Sequence, residues 1–201
     1  FRKEINTVED LKGLKMRIPG FAGEVLAKLG ASPTNIPSAE LYTALERNTI
    51  DALEWVGPSL DLRMGFHKIA PYYYTGWQEP ATELQFMVNQ KAYDSLPADL
   101  QKILTVAMKT AAYDMYSQST HENGVNLKAL QSEYPNVKIR TFPQPVMNAI
   151  RDANDELLAE FAAKDKETAK ILKSIKSYQE QVRAWTKFAD QAYLESFESN
   201  E

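Results

Sequence analysis

The sequence contains no cysteine and only two histidines. The absence of cysteine excludes disulfides, cysteine metal sites and thiol nucleophiles. His67 and His121 are far apart and match no metal-ligand spacing such as HExxH. The sequence also has no Walker or Rossmann glycine pattern and no Gly-x-Ser-x-Gly elbow, which argues against nucleotide-binding and serine-hydrolase classes. No run of 18 apolar residues is present, so the sequence predicts no transmembrane helix.

The sequence also lacks a net positive charge, because its formal net charge is -4. A nucleic-acid-binding protein should present a basic face, and we therefore predict no nucleic-acid partner. The 201 residues suffice for one large domain or two small lobes. Residues 1–4 are neither a signal peptide nor a natural start, so we expect a processed or truncated piece of a longer protein.

Residues 7–56 predict repeated strand–helix units. After a capped first turn at Thr7, strands are predicted at 15–18 and 32–37 and at about 50–56, with helices between them at 21–29 and from 38. Leu41, Ala44 and Leu45 lie on one face of the second helix. Short strand–helix units of this kind are typical of a parallel sheet.

The rest of the chain is predicted to be mainly helical. In order, we expect a helix at 58–66, an extended aromatic stretch at 69–77, a strand at 84–88, a helix of about 26 residues from Pro97 to about Gly124, a further helical tract at 125–133, a strand at 137–142, a helix at 145–164 and an amphipathic helical stretch at 167–197. The Met and Tyr stripe of the long helix is interpreted as core.

Three consecutive tyrosines, Tyr72 to Tyr74, have two interpretations. With Trp55 and Trp77 nearby in sequence, they could line an aromatic surface. Alternatively, they pack a strand between layers, because strands favour tyrosine.

Polar candidates for a small-molecule site stand beside turns at predicted strand ends: Arg17, Glu54 and Glu79. Ligands of open α/β sheets bind beyond the carboxyl ends of strands. Arg17 could clamp a carboxylate with two parallel hydrogen bonds, Glu54 could hold a cation and Trp55 could wall a pocket. Alternatively, Arg17 forms an ordinary strand-end ion pair, Glu54 is a solvated carboxylate and Trp55 is a core residue.

Three segments resemble signatures of one family. Residues 11–20, 51–58 and 72–79 are similar, in the same order, to segments of the solute-binding proteins of TRAP-type secondary transporters. The resemblance covers roughly the last two-thirds of the family's length. It implies an α/β, periplasmic binding protein-like (type II-like) two-lobe architecture with a long lobe-spanning helix and most of the first lobe absent from this chain.

The same resemblance implies a division into parts. Residues 1–52 and 90–150 would form the second lobe, and residues 53–89 would return to the first lobe. Residues 151–201 would be C-terminal helices that pack across the lobes or on a partner.

The Glu54–Trp55 pair resembles the branch that binds 2-oxo acids and related monocarboxylates with a metal ion. This resemblance implies that Arg17 pairs with the substrate carboxylate. Glu54, through its carboxylate, and Trp55, through its main-chain carbonyl, would ligate sodium or calcium together with Glu79. Trp55 and Glu79 would also contact the substrate. Residues 78–81, which include Glu79, depart from the family pattern, whereas Glu54 lies in a segment that matches it.

The function that the resemblance implies is capture of a small 2-oxo or 2-hydroxy acid, such as pyruvate or lactate, in the periplasm. The partners would be the membrane permease subunits and, through the C-terminal helix, a second protomer in a homodimer. Two alternatives belong to other classes. One is a metal-dependent small-carboxylate enzyme, against which the lack of an acid–base pair argues, and the other is a helical interaction module built from residues 97 onward.

Overall fold

The computed structural model describes residues 1–78 and 84–198. The chain divides into two compact units, Phe1–Ala149 and Ile150–Glu201. The strands are β1 (Lys15–Arg17), β2 (Ser32–Thr34), β3 (Ala52–Leu53), β4 (Tyr72–Tyr74) and β5 (Lys138–Arg140). The helices are α1 (Phe21–Lys28), α2 (Leu41–Glu46), α3 (Pro58–Met64), α4 (Gln90–Asp94), α5 (Ala98–Glu133), α6 (Gln144–Lys164), α7 (Lys166–Thr186) and α8 (Ala192–Glu198). Short 3-10 turns lie at Val8–Leu11, Ser38–Glu40 and Phe66–Lys68, and a π-helical turn at Lys187–Gln191 joins α7 to α8.

The predicted parallel sheet is confirmed. β1 is the central strand and pairs in parallel with β2 on one side and β3 on the other. Apolar strand residues such as Met16 and Ala52 are buried, and the Leu41, Ala44 and Leu45 face of α2 forms part of the core. The carboxyl ends of β1 and β3 therefore lie side by side, which brings the residues that follow them together.

The packing of α1 on this sheet depends on a close approach at Gly23. A Cβ atom built there would lie 2.6 Å from the main-chain oxygen of Ile18, closer than real Cβ contacts allow. Gly23 is therefore needed for α1 to pack directly over the end of β1.

A second, two-stranded sheet consists of β4 and β5, which also pair in parallel. The ring of Tyr74 stacks on Phe142 with 4.3 Å between centroids, and the hydroxyl of Tyr73 donates a hydrogen bond to Asp61. All three tyrosines of β4 are half-buried. β4 is thus a packed strand, and Tyr72 and Tyr73 also line a cavity together with Trp55, so each of the two interpretations describes part of this stretch.

The long helix differs from the prediction in length and in burial. α5 is one continuous helix of 36 residues, about 54 Å long, and it does not stop at Gly124. The interpretation of its apolar stripe as core is wrong for the described part of the chain, where Ile103, Met115 and Tyr116 are exposed and only Leu130 of this helix is buried. An apolar stripe is buried only where another element covers it. Of the described elements, α3 packs on α5, and Tyr93 of α4 contacts its first two turns through Gln101 and Thr105.

The strand predicted at residues 84–88 is also wrong. These residues are irregular and exposed. Their apolar composition favours a strand, but a strand needs a neighbour for its hydrogen bonds, and no described strand pairs with them. The segment shows that composition without a pairing partner is not sufficient.

The second unit is helical, as predicted for the C-terminal part. Ile150, Ala153 and Leu157 of α6 are buried, whereas the large apolar residues of α7 and α8 are exposed. No helix in the described ranges combines the length and apolar character that a membrane crossing requires. The assignment of residues 1–52 and 90–150, 53–89 and 151–201 to separate lobes and to C-terminal helices stays a prediction.

Candidate functional site

Arg17 and Glu54 meet at the ends of adjacent parallel strands. The main-chain N–H of Glu54 donates to the carbonyl of Arg17 over 3.0 Å, continuing the ladder between β1 and β3. In return, Nη1 of Arg17 donates to the carbonyl of Glu54 over 2.8 Å and lies 3.5 Å from its carboxylate oxygen Oε2. The side chain of Arg17 is therefore tied to the main chain of the neighbouring strand as well as to a carboxylate.

The guanidinium of Arg17 is nearly buried, with 12% of its side chain exposed against 27% for Glu54. It lies over the ring of Trp55, 5.3 Å from the centroid, in a cation–π arrangement. Its Nε is buried and finds no hydrogen-bond acceptor among the described residues. A buried donor without an acceptor costs about 1–3 kcal/mol, so this atom would gain from an anionic oxygen placed beside it.

Trp55 has two roles in the structure. It is half-buried and packs against the core cluster that includes Leu45 and Phe66. It also lines a cavity of about 60 Å³ together with Asp61 and Tyr73. The interpretation of Trp55 as a core residue is therefore correct in part, since the ring also lies beneath the guanidinium of Arg17.

The segment that carries Glu54 and Trp55 leads directly into α3 and is held by Asp61. The main-chain N–H of Val56 donates to Oδ1 of Asp61 over 3.3 Å, and the Tyr73 hydroxyl donates to Oδ2 over 2.7 Å. Burial raises the pKa of Asp61, although these hydrogen bonds oppose the rise. Burial and the nearby Asp61 carboxyl raise the pKa of Tyr73, which keeps its hydroxyl protonated as the donor.

α5 contacts the same region through two neighbouring side chains. Oδ1 of Asn123 accepts a hydrogen bond from the main-chain N–H of Ser59 over 3.1 Å, in the first turn of α3. Arg63 of α3 forms an ion pair of 2.8 Å with Glu122. The start of α3 is therefore capped by a side chain from a distant helix.

Of the predicted site residues, the structure brings Arg17, Glu54 and Trp55 together. Glu79 lies outside the described residues. The described part of the chain contains no group of three or more His, Asp or Glu side chains that could hold a metal ion. Glu54 and the main-chain carbonyl of Trp55 are oxygen donors of the type that sodium and calcium prefer, so their chemistry fits a hard cation, which would need further oxygens from elsewhere.

His67 lines the same small cavity as Trp55 and Asp61. Its ring meets Tyr134 edge-on with 4.5 Å between centroids, and neither ring nitrogen has a hydrogen-bond partner in the described ranges. Burial, and to a smaller extent Lys68, lower its pKa. A neutral packing role describes this residue.

Asp61 and Asn123 carry no sequence signal of their own. Each is an ordinary polar residue within a helical stretch. Asp61 contacts the main chain of Val56, five residues earlier, whereas Asn123 contacts the main chain of Ser59, 64 positions away. Asp61 lies seven residues after Glu54, and that spacing by itself specifies no contact.

Comparisons with known proteins find a relative along the whole chain. A monocarboxylate 2-oxoacid-binding periplasmic protein of Nostoc sp. is 38% identical over all 201 residues of the chain. The chain covers 54% of that relative, so it spans about half of the relative's length.

Two crystal structures match the fold closely. A TRAP periplasmic solute-binding protein of Pseudoalteromonas atlantica, with bound sodium and pyruvate, is 99% identical with a TM-score of 0.93. A second, from Colwellia psychrerythraea with bound calcium and pyruvate, is 80% identical with a TM-score of 0.95. Both matches cover 98% of this chain and 60% of the crystallised chain.

These matches confirm the predicted α/β, periplasmic binding protein-like fold class. The family model described as bacterial extracellular solute-binding protein, family 7 (DctP), matches residues 1–165. The chain therefore belongs to family 7 of the bacterial extracellular solute-binding proteins.

Proposed function

We propose that this chain is part of a protein that captures a small 2-oxo or 2-hydroxy carboxylate, such as pyruvate, with a bridging sodium or calcium ion. The observation that carries the proposal is the nearly buried guanidinium of Arg17, whose Nε has no acceptor in the described part of the chain. A carboxylate is the ligand group whose planar pair of oxygens matches a guanidinium.

The position of Arg17 supports a binding role over a purely structural one. Nη1 is already occupied by the Glu54 carbonyl, which fixes the side chain without neutralising its charge. The Glu54 carboxylate at 3.5 Å supplies only a loose ion pair. A preorganised and partly satisfied guanidinium binds an incoming carboxylate with little loss of side-chain freedom.

Glu54 and Trp55 would hold the metal ion through the Glu54 carboxylate and the Trp55 main-chain carbonyl, and Glu79 would add a second carboxylate. Such an ion supplies positive charge that offsets both the Glu54 carboxylate and the ligand. Arg17 then orients the ligand carboxylate, while the Trp55 ring limits access of water to one side of the guanidinium.

The relatives support the choice of ligand. The Nostoc protein is named for binding monocarboxylate 2-oxoacids, and both crystallised relatives contain pyruvate with sodium or calcium. This chain covers 54–60% of the length of these proteins.

We place the protein in the periplasm, where it would deliver its ligand to the permease subunits of a TRAP transporter, and we infer that it is not an enzyme. The described site holds one arginine, one carboxylate and an indole, which suffice to bind and orient an anion. An acid–base pair for turnover is not among the residues that meet there. Turnover of pyruvate or lactate in the presence of calcium would instead support the alternative of a metal-dependent enzyme.

We also infer that the C-terminal helices mediate a homodimer. Large apolar side chains recur along one face of α7 and continue into the π-helical turn and α8, and all are exposed: Ile171, Ile175, Tyr178, Val182, Trp185, Phe188 and Tyr193. Extended apolar patches of this kind mark interaction surfaces. Dimerisation without any binding of small molecules would favour the alternative of a helical interaction module.

The decisive experiment is a calorimetric titration with pyruvate, with sodium or calcium present and then omitted. It is carried out on this 201-residue chain and on a chain extended to the full length of its relatives. We expect metal-dependent binding by the longer chain at least. Absence of pyruvate binding by both chains, with either metal, would reject the proposal for this ligand.

A further inference from the structure

The main chain between β3 and α3, residues 54–57, carries the two residues proposed to bind the metal ion. The segment is short, and it contributes ligands through a side chain and a main-chain carbonyl. A main-chain ligand cannot adjust by changing rotamer, so the position of the backbone itself must be fixed for such a ligand to bind well.

Asp61 supplies a fixed point for this segment. It stands one turn into α3, and its carboxylate turns back to accept the N–H of Val56, the residue that directly follows Trp55. The peptide unit that joins Trp55 to Val56 contains both that N–H and the Trp55 carbonyl, and peptide planarity links their directions. Holding the Val56 N–H therefore also sets the direction of the Trp55 carbonyl.

Tyr73 holds Asp61 in turn. Its hydroxyl donates to the second carboxylate oxygen over 2.7 Å from strand β4. The two oxygens of Asp61 are thus bound on one side by the site segment and on the other by the second sheet. Both Asp61 and Tyr73 line the same small cavity as Trp55.

Asn123 anchors the other end of the segment. A Cβ atom added to Gly57 would lie 3.1 Å from Oδ1 of Asn123, so α5 approaches the segment closely where α3 begins. The same Oδ1 accepts the N–H of Ser59, a residue that is itself buried. The segment consequently runs between two polar anchors from different elements.

We propose that Asp61, supported by Tyr73, is a positioning residue that aims the Trp55 carbonyl and so sets the affinity for the metal ion. This inference rests on the proposed function for its metal-binding consequence. Its structural part, restraint of the Val56 amide by the Asp61 side chain, stands independently of any ligand.

Three variants test the proposal. Asp61→Ala removes both hydrogen bonds, and Tyr73→Phe removes only the support. Asp61→Asn is the matched control, because its amide oxygen can accept from Val56 while its NH₂ group donates to the Tyr73 oxygen, which preserves both contacts without the charge.

Two measurements are made on each variant. The first is the hydrogen-exchange rate of the Val56 amide, with the Val25 amide of α1 as a reference for global opening. The second is the concentration of sodium or calcium that gives half-maximal pyruvate binding in the full-length chain. We expect Asp61→Ala to increase Val56 exchange and the required metal concentration by at least about tenfold each, with Val25 unchanged. Asp61→Asn should stay within about threefold of the parent for both, and Tyr73→Phe should fall between.

The outcomes separate the two proposals. If the parent binds no pyruvate with either metal, the proposed function fails, and Val56 exchange alone decides whether Asp61 restrains the segment. If the parent binds, an unchanged metal requirement in Asp61→Ala overturns the positioning role. Failure of Asp61→Asn to retain the parent's metal requirement also overturns it, because the contacts would then not be the cause. If Asp61→Ala does not fold, Tyr73→Phe is compared with the parent instead. The Val56 exchange rate and the metal requirement of that variant then decide the proposal.

Discussion

The guanidinium of Arg17 and the main chain of Glu54 bind each other in both directions across adjacent strands. Glu54 donates its N–H to the Arg17 carbonyl, and Arg17 donates Nη1 to the Glu54 carbonyl over 2.8 Å. The pair therefore couples a charged side chain to the ladder of the sheet. Under the proposed function, this strand-end arginine would recognise an anion without depending on a flexible loop.

Replacing Arg17 by alanine should abolish carboxylate binding while the fold is retained. Truncating one partner of a buried charged pair typically costs 2–5 kcal/mol, roughly 30-fold or more in Kd. Calorimetry with pyruvate measures the affinity, and far-ultraviolet circular dichroism reports the fold. Arg47→Ala is the control, because that arginine is exposed at the end of α2. Unchanged affinity in Arg17→Ala would remove Arg17 from the site.

Glu54→Gln should weaken metal-dependent binding and leave the Arg17 contact to the main-chain carbonyl in place. The amide retains an oxygen but loses the charge that attracts the cation, so at least about tenfold more metal should be needed for half-maximal binding. A titration of sodium or calcium at constant pyruvate measures this shift. Glu46→Gln, on the exposed end of α2, makes the same change elsewhere. If the metal requirement of Glu54→Gln equals that of Glu46→Gln, Glu54 is no ligand.

Two glycine substitutions should change stability in opposite directions. In Gly57→Ala the new Cβ would displace Asn123, weakening its cap on Ser59, and we expect a loss of about 1 kcal/mol in the free energy of unfolding. In Gly124→Ala nothing lies within 4 Å of the new atom, and helix α5 should gain about 0.5–1 kcal/mol. Urea unfolding of both variants measures the difference. Equal effects of the two substitutions would contradict the close approach at Gly57.

The half-buried carboxyl of Asp61 should make stability depend on pH. Folding raises its pKa above the ordinary value of 3.8, chiefly through burial. Its contribution to stability is therefore fully present below pH 3.8 and is lost as the pH rises through the folded-state pKa. Asp61→Asn does not titrate, so its stability does not fall in this way. The difference in free energy of unfolding, variant minus parent, should therefore increase as the pH rises from 3.8 through the folded-state pKa and then level off.

A control with the opposite sign is available at Asp10. Main-chain hydrogen bonds from Asn6 and Thr7 lower the pKa of its carboxyl. The contribution of this carboxyl to stability is present above pH 3.8 and is lost as the pH falls through the lowered pKa. Asp10→Asn lacks this contribution, so its free energy of unfolding should fall further below that of the parent as the pH rises. Denaturant unfolding at a series of pH values measures both curves. The same slope for both variants would disprove the assignment of Asp61 as a group with a raised pKa.

The homodimer is tested by placing a charge on the apolar face of α7. Ile175→Glu should convert a dimer into a monomer in sedimentation experiments, because a carboxylate would be buried without a partner. Ala184→Glu adds the same charge on the opposite side of the helix by its 3.6-residue period and should leave the dimer intact. A parent chain that is monomeric at all concentrations would reject the dimer itself.

Much of the first sheet could be predicted because its signals are local. Strand β1 lies between two turns, and the apolar face of α2 recurs at helical spacing. Each pattern depends only on residues that are close together in the sequence. The same reasoning failed at Gly124, where a residue of low helix propensity suggested an end, because helix propagation tolerates a single glycine within a long tract.

The amino-acid sequence alone established the α/β repeat, the strand-end positions of Arg17 and Glu54 and the resemblance to TRAP solute-binding proteins. The tertiary structure decided which of these residues touch: Arg17 reaches the main chain of Glu54, 37 positions away, and Asn123 reaches Ser59, 64 positions away. In the tertiary structure, no described strand pairs with residues 84–88. Local patterns arise from neighbours in sequence, whereas these contacts depend on how separate elements pack, which no single stretch of sequence specifies.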